Sequence, residues 1–105
     1  MSGPDLNALL AQAQAMQARI AQAQEEAKKK TVEASAGGGM VTVVVSGSFE
    51  LRAIKIDPQA IDPKDPTMLQ DLILAAVNQG LHKAQEMMAT EMQSIAGGMN
   101  IPGLF

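Results

Sequence analysis

Only one stretch of this sequence, residues 37–58, is rich in residues that favour β-strands. Residues 40–46 are dense in valine and threonine, which fit a pleated and half-buried surface. Residues 49–56 form a second run of similar length, and the short Ser-Gly-Ser segment between the runs predicts a hairpin. Residues 31–35 are a weaker candidate strand, and the glycines at 37–39 allow the chain to turn back. The stretch therefore predicts a three-stranded antiparallel meander.

The apolar side chains of this sheet indicate one clear buried face and one irregularity. The alternating valines of residues 41–45 point to the same side of their strand. In the following strand, Leu51 and Ile54 fall on opposite faces, so the apolar pattern changes face midway. Either a β-bulge near Arg52 or partial burial of both faces accounts for this change.

A long helix is predicted on each side of the sheet. The first, from about Asp5 to Lys30, carries apolar and small residues at alternating spacings of three and four over three heptads. That spacing predicts packing against another helix with a slight left-handed wrap. The second, from about Pro66 to Ala96, has a wider apolar face, suited to cover a sheet and then meet another helix. The fold class is therefore α+β.

Three Asp-Pro pairs lie between the sheet and the second helix, at 57–58, 62–63 and 65–66. A carboxylate cluster for metal binding or acid–base chemistry is one interpretation. Caps and turns are the preferred one, because proline suits the first helical position and aspartate suits the cap before it. We expect Asp65 to cap the second helix.

Two polar or small residues interrupt the apolar face of the second helix. Gly80 costs helix propensity, and close approach of another backbone would explain its presence. Asn78 is either exposed or a buried residue that fixes pairing register. Gly97-Gly98 is expected to end the helix. The whole chain is expected to form a single domain, with residues 1–4 and 97–105 flexible.

The composition disfavours several classes of site. The sequence contains no Cys, one His, two Phe and neither Trp nor Tyr. A disulfide framework, a thiolate or His-rich metal site and an aromatic platform for bases are therefore not expected, nor is any cofactor. There is no signal-peptide pattern and no apolar run of membrane-spanning length, so a cytoplasmic protein without membrane contact is the default expectation.

No catalytic constellation is recognisable, so neither an enzyme nor a small-molecule substrate is expected. The glycines at 37–39 lack the Gly-Lys-Ser/Thr ending of a phosphate-binding loop and precede a strand rather than a helix. Ser46 and Ser48 have no histidine nearby in sequence, since the single histidine lies in the second helix.

The predicted helices are too long for one compact domain. A globule of this size has a radius of gyration near ~13 Å, whereas the helices should be about twice as long as strands that span ~20 Å. Their apolar stripes must then project past the sheet, and exposed stripes of that size mark association, most often with two-fold symmetry. We therefore predict a homodimer with these interface residues: Leu6, Leu9, Met16, Ile20, Val43, Val77, Leu81 and Met88.

Four segments, residues 37–43, 54–58, 69–78 and 97–105, together resemble the YbaB/EbfC family of bacterial nucleoid-associated proteins. The resemblance covers nearly the whole chain and depends on the order of the segments, because none is a catalytic signature. It implies an α-β-β-β-α fold and a tweezer-like homodimer with helical arms. It also implies double-stranded DNA binding by those arms, a role in nucleoid organisation or gene expression, and a place in the cytoplasm at the nucleoid.

The charge distribution fits this implied function only in part. The net charge is −3, and residues 1–30 are the only mildly basic segment. The best candidates for phosphate contact are Arg19, Lys28, Lys29 and Lys30, followed by Arg52, Lys55 and Lys83. Each is alternatively a solvated surface charge, and the lysine run is alternatively a helix C-terminal cap.

A second function stays open because of this weak basic charge. The methionine-rich, weakly charged arms would also suit a non-catalytic scaffold that holds a partner protein in DNA repair or replication. The acidic composition favours the scaffold, and the family resemblance favours DNA.

Overall fold

A computed structural model describes residues 3–98 of the chain. The elements are helix α1 (Gly3–Lys29), strands β1 (Thr31–Ala36), β2 (Val41–Ser46) and β3 (Leu51–Ile56), a 3₁₀ turn (Pro58–Ala60) and helix α2 (Pro66–Gly98). The strands form one antiparallel sheet in the order β1-β2-β3. The predicted α-β-β-β-α order is confirmed. Helix α2 extends through Gly98, two residues past the predicted end at about Ala96. The expected flexibility of the terminal segments falls largely outside the described residues.

The core lies between α2 and the inner face of the sheet. Val41, Val43 and Val45 of β2 are each 0% exposed there, as the alternation predicts. A β-carbon on Gly80 would lie 2.7 Å from Cγ2 of Val45 and 3.0 Å from Cγ2 of Val43. The close approach expected at Gly80 is therefore present, but the neighbours are valine methyl groups and not a second backbone. Asn78 is exposed, so within the single chain it fixes no buried pairing.

Strand β3 contains the bulge. Val44 pairs with Ala53 and Val45 pairs with Leu51, so Arg52 is the extra residue between them. Because residues directly opposite each other share a face, the bulge brings Leu51 to the same inner face as Ile54. This outcome selects the bulge from the two interpretations of the sequence.

The turns around the sheet follow the predicted chemistry. All three glycines of residues 37–39 have positive φ, at 66°, 67° and 96°. Asp57, Asp62 and Asp65 each accept a backbone N–H two or three residues ahead, at 2.9, 2.9 and 3.2 Å. The carboxylates are therefore caps and turn residues, and Asp65 caps α2 as expected.

The helices extend well beyond the sheet. The chain measures 79 × 23 × 15 Å, and its radius of gyration is 21.4 Å. Helix α1 packs against α2 and not across the sheet. Along α1, Ala27 is buried and Ile20 is half-buried, whereas Leu9 is 58% exposed. The predicted projection of the helices is thus confirmed, and α1 forms an arm that departs from the sheet.

Candidate nucleic-acid interface

The lysine run lies where the α1 arm joins the sheet. The backbone N–H of Gly47, in the β2–β3 hairpin, donates to the carbonyl of Lys30 at 2.8 Å. A β-carbon on Gly47 would lie 2.5 Å from the carbonyl oxygen of Ala27. The hairpin therefore fits directly against the last turn of α1, and only glycine permits that distance. This contact fixes the position of the lysine backbone at the base of the arm.

Two of the three lysines form ion pairs. Lys28 pairs with Glu25 one turn earlier at 3.3 Å, and Lys30 pairs with Glu91 of α2. Within residues 3–98, no ion pair involves Lys29. The paired lysine side chains remain about half exposed, and such pairs contribute roughly 0–1 kcal/mol. The lysines are therefore available to exchange a carboxylate for a phosphate at small cost.

The other predicted phosphate contacts do not join this cluster. Arg19 is ten residues before Lys29 along α1, or about 15 Å at ~1.5 Å per residue. It lies on the same face of α1 as Gln12, Ala15 and Met16. The seven candidates therefore do not form one continuous basic surface.

The three candidates on or near the sheet lie in separate places. Arg52 is the bulge residue and pairs with Glu50 at 3.2 Å. Lys55 is exposed and lies opposite Thr42. Lys83 donates to the backbone carbonyl of Glu33 at 3.0 Å, on β1 at the opposite edge of the sheet from β3. Lys83 therefore has a structural role as the donor to an otherwise open strand edge.

Four of the eleven acidic side chains lie far from the lysine run. Four aspartates, Asp57, Asp62, Asp65 and Asp71, lie around the start of α2. Asp65 lies just before α2 and Glu91 lies within it. The two are 26 residues apart, or about 39 Å at ~1.5 Å per residue. The Debye length in physiological salt is only ~8 Å. These four aspartates are therefore screened from the lysine run, whereas Glu25 and Glu91 lie directly beside it.

The predicted dimer-interface residues fall into three groups. Leu6 and Leu9 are exposed on the arm, and Val43 is completely buried in the single chain. Val43 contacts the inner side of α2 and has no surface left for a partner, so its assignment to an interface loses support. The remaining predicted residues are half-buried along the helices: Met16, Ile20, Val77, Leu81 and Met88.

Sequence reasoning missed an apolar surface on the inner side of β3. Helix α2 packs on β1 and β2 and leaves Leu51 and Ile54 48% and 43% exposed. On the neighbouring flank of α2, Leu74 is 60% exposed and shares a helix face with half-buried Val77 and Leu81. The change of face in the β3 pattern was the available signal, because the bulge places Leu51 beside Ile54.

Residues 3–98 contain neither a metal-binding cluster nor a helix suited to cross a membrane. Among residues 3–98, no three His, Asp or Glu side chains gather in a way that would hold a metal ion. His82 pairs with Glu86 on the exposed side of α2. Neither helix, over its described length, combines the length and hydropathy needed to cross a bilayer.

The fold defines the chain as an α-β-β-β-α protein with a projecting helical arm. A solved structure shares this architecture: the uncharacterized protein HP0035 from Helicobacter pylori superposes with a TM-score of 0.61 at 27% identity, over 94% of this chain and 97% of that one. The sequence model of the YbaB/EbfC DNA-binding family matches residues 1–99. The chain belongs to this family.

Two relatives of this chain are named nucleoid-associated proteins. A nucleoid-associated protein of Syntrophobacter fumaroxidans is 62% identical over 93 residues, which cover 89% of this chain and 84% of the relative. A nucleoid-associated protein of Desulforamulus reducens is 51% identical over 105 residues, the full length of both chains. The suspected family resemblance is thereby confirmed.

Proposed function

We propose that this protein binds double-stranded DNA as a homodimer, with little sequence preference, and acts on the architecture of the nucleoid or on gene expression. The observation that carries the proposal is a DNA-binding family match on a chain whose exposed lysine run lies at the base of a projecting arm. We place the protein at the nucleoid, in line with the names of its relatives.

The proposed DNA contact is made by Lys28, Lys29 and Lys30, with Arg19 further along the arm. Lysine and arginine side chains most often contact phosphates, so we assign this contact to the DNA backbone. Such contacts position a protein on DNA without selecting a sequence. The low number of cations per chain predicts weak binding that falls with salt, because each neutralised phosphate releases a counterion.

The proposed dimer uses the β3 side of the sheet. The carbonyl of Glu33 at the β1 edge already accepts a hydrogen bond from Lys83, which is the kind of lysine protection that limits edge pairing. Strand β3 is the other edge strand of the sheet, and the exposed Leu51, Ile54 and Leu74 lie on that side. Burying each of these side chains on a partner stabilises a dimer by roughly 1 kcal/mol or more. This proposed interface differs from the sequence-based prediction, which also included Leu6 and Leu9 of the arm.

The test is fluorescence anisotropy of labelled duplex DNA at several salt concentrations, with unrelated duplex as competitor. Replacing Lys29 by Ala (K29A) should weaken binding, and the triple variant K28A/K29A/K30A should weaken it further and flatten the salt dependence. K64A is the matched control, because it removes the same charge from the loop before α2. Equal losses in K29A and K64A would contradict the proposed contact, and no binding at low salt would contradict the function.

The protein-scaffold alternative retains one specific support. Leu6, Leu9 and Leu10 on the arm are more than half exposed, and an apolar surface suits a protein partner better than a phosphate backbone. Salt separates the two functions. Phosphate contacts weaken steeply as salt rises, whereas apolar contacts between the arms and a partner protein do not.

A further inference from the structure

The outer part of the α1 arm is an apolar surface that nothing in residues 3–98 covers. Leu6, Leu9 and Leu10 are 58%, 58% and 54% exposed. These three leucines, which we call the arm tip, lie in the first turns of α1. Three large apolar side chains exposed so close together, on a part of the helix that packs against nothing in residues 3–98, mark a contact surface.

The arm tip continues the stripe that α1 already uses to pack on a helix. Leu6 and Leu9 belong to the same heptad series as Ile20 and Ala27. Ile20 is half-buried and Ala27 is buried where α1 runs beside α2. A stripe of that spacing accepts another helix, and two copies of the same stripe complement each other. The surface is therefore built for a helix of similar character.

Charge narrows the choice of partner. Residues 6–18 contain no charged side chain at all. A phosphate backbone would find no cation there, which disfavours DNA as the occupant. A second copy of the same arm presents little charge to this surface, because only Asp5 in the first turn of α1 is charged beside the leucines, although the chain as a whole carries −3. The extended form of the molecule, 79 Å long, also lets two arms meet without contact between their sheets.

We propose that the arm tip pairs with the arm tip of another copy of this chain, so that separate dimers are linked through their arms. A tip of three leucines is far smaller than a standard interface of ~20–30 residues per side. The association is therefore weak between free molecules. It becomes effective when copies are held close together, because tethering to one DNA raises the effective concentration. Self-association of this kind would bridge DNA segments.

The first experiment measures self-association without DNA, so its outcome does not depend on the proposed DNA binding. Sedimentation velocity of the full chain from low micromolar to near-millimolar concentration should show mass rising above the basal species. The variant L6Q/L9Q/L10Q should show no such rise, while its circular dichroism keeps the helical signal, because glutamine is a good helix former. The control I61Q, at a residue 57% exposed and off the arm, should behave as the wild type.

The second experiment locates the contact. The chain has no cysteine, so L9C introduces a single thiol that forms a disulfide only when two copies bring their Cα atoms within roughly 7 Å. Oxidised L9C should cross-link, and its native mass should rise above that of the reduced protein. No cross-link would overturn the proposal. A cross-link without a rise in native mass would mean that the arms pair inside one dimer, which also overturns it.

A third variant, truncated after Gly98, identifies a competing occupant. If the truncated chain self-associates through Leu6 and Leu9 while the full chain does not, residues 99–105 occupy the arm tip and the proposal is wrong. If both associate equally and L6Q/L9Q/L10Q abolishes association in both, the arm tip of a second copy is the occupant.

Discussion

Replacing Gly80 by alanine should destabilise the protein, although alanine is the better helix former. Helix propensity alone predicts a gain of about 1 kcal/mol. The added β-carbon, however, would lie 2.7 Å from Val45 Cγ2 and 3.0 Å from Val43 Cγ2. Both valines are 0% exposed on the central strand, and β-branched side chains have little rotamer freedom. The helix or the strand must therefore shift to accept the added β-carbon.

The expected change in the free energy of unfolding is the difference between these two opposing effects. Forcing an extra methyl into a well-packed core costs roughly 1–3 kcal/mol, which exceeds the ~1 kcal/mol propensity gain. We therefore expect G80A to lose about 1 kcal/mol of unfolding free energy. Urea denaturation followed by circular dichroism measures this value. Protein concentration must be held fixed, since the stability of a dimer depends on it.

The control for this prediction is the same substitution near the end of the same helix. A β-carbon on Gly97 would meet nothing within 4 Å. G97A should therefore leave stability unchanged or raise it slightly, because only propensity acts there. If G80A stabilised the protein as much as G97A, the close packing of α2 on β2 would be refuted.

The remaining predictions concern the contact of Gly47 with α1, the N-cap of α2 and the ion pair between Lys30 and Glu91. G47A should destabilise by roughly 1–3 kcal/mol, because its β-carbon would lie 2.5 Å from the Ala27 carbonyl oxygen; a wild-type urea midpoint would contradict that contact. D65A should cost about 1 kcal/mol through loss of the α2 N-cap, measured in the same way. E91Q should tighten DNA binding by freeing Lys30, which anisotropy at moderate salt would detect.

The sequence predicted the fold well because its local signals agree with one another. The valine alternation, the positive-φ glycines and the Asp-Pro caps each specify one local geometry, and all of them fit one topology. The bulge at Arg52 was one of the two explanations that the phase change from Leu51 to Ile54 allowed, and the strand pairing selects it.

The site was less predictable because it depends on distances between elements. Sequence alone does not show that α2 covers β1 and β2 but leaves β3 open, so the exposed Leu51 and Ile54 were missed. For the same reason Val43 was assigned to a dimer interface, although α2 of the same chain buries it. The ion pair of Lys30 with Glu91 joins residues 61 positions apart, and no local pattern reveals such a contact.

Charge positions, and not the net charge, should govern DNA binding by this acidic chain. Removing the carboxylate of Glu91 takes a negative charge from beside Lys30, and an interaction of unit charges at ~4 Å in water amounts to about 1 kcal/mol, or roughly fivefold in affinity. D71N removes the same charge about 30 Å further along α2 at ~1.5 Å per residue, well beyond the ~8 Å Debye length. E91Q should therefore tighten DNA binding several-fold in 0.15 M salt, whereas D71N should leave it unchanged. Equal gains in both variants would mean that net charge governs DNA binding. The lysine run at the arm base would then contribute no more to binding than other charges do.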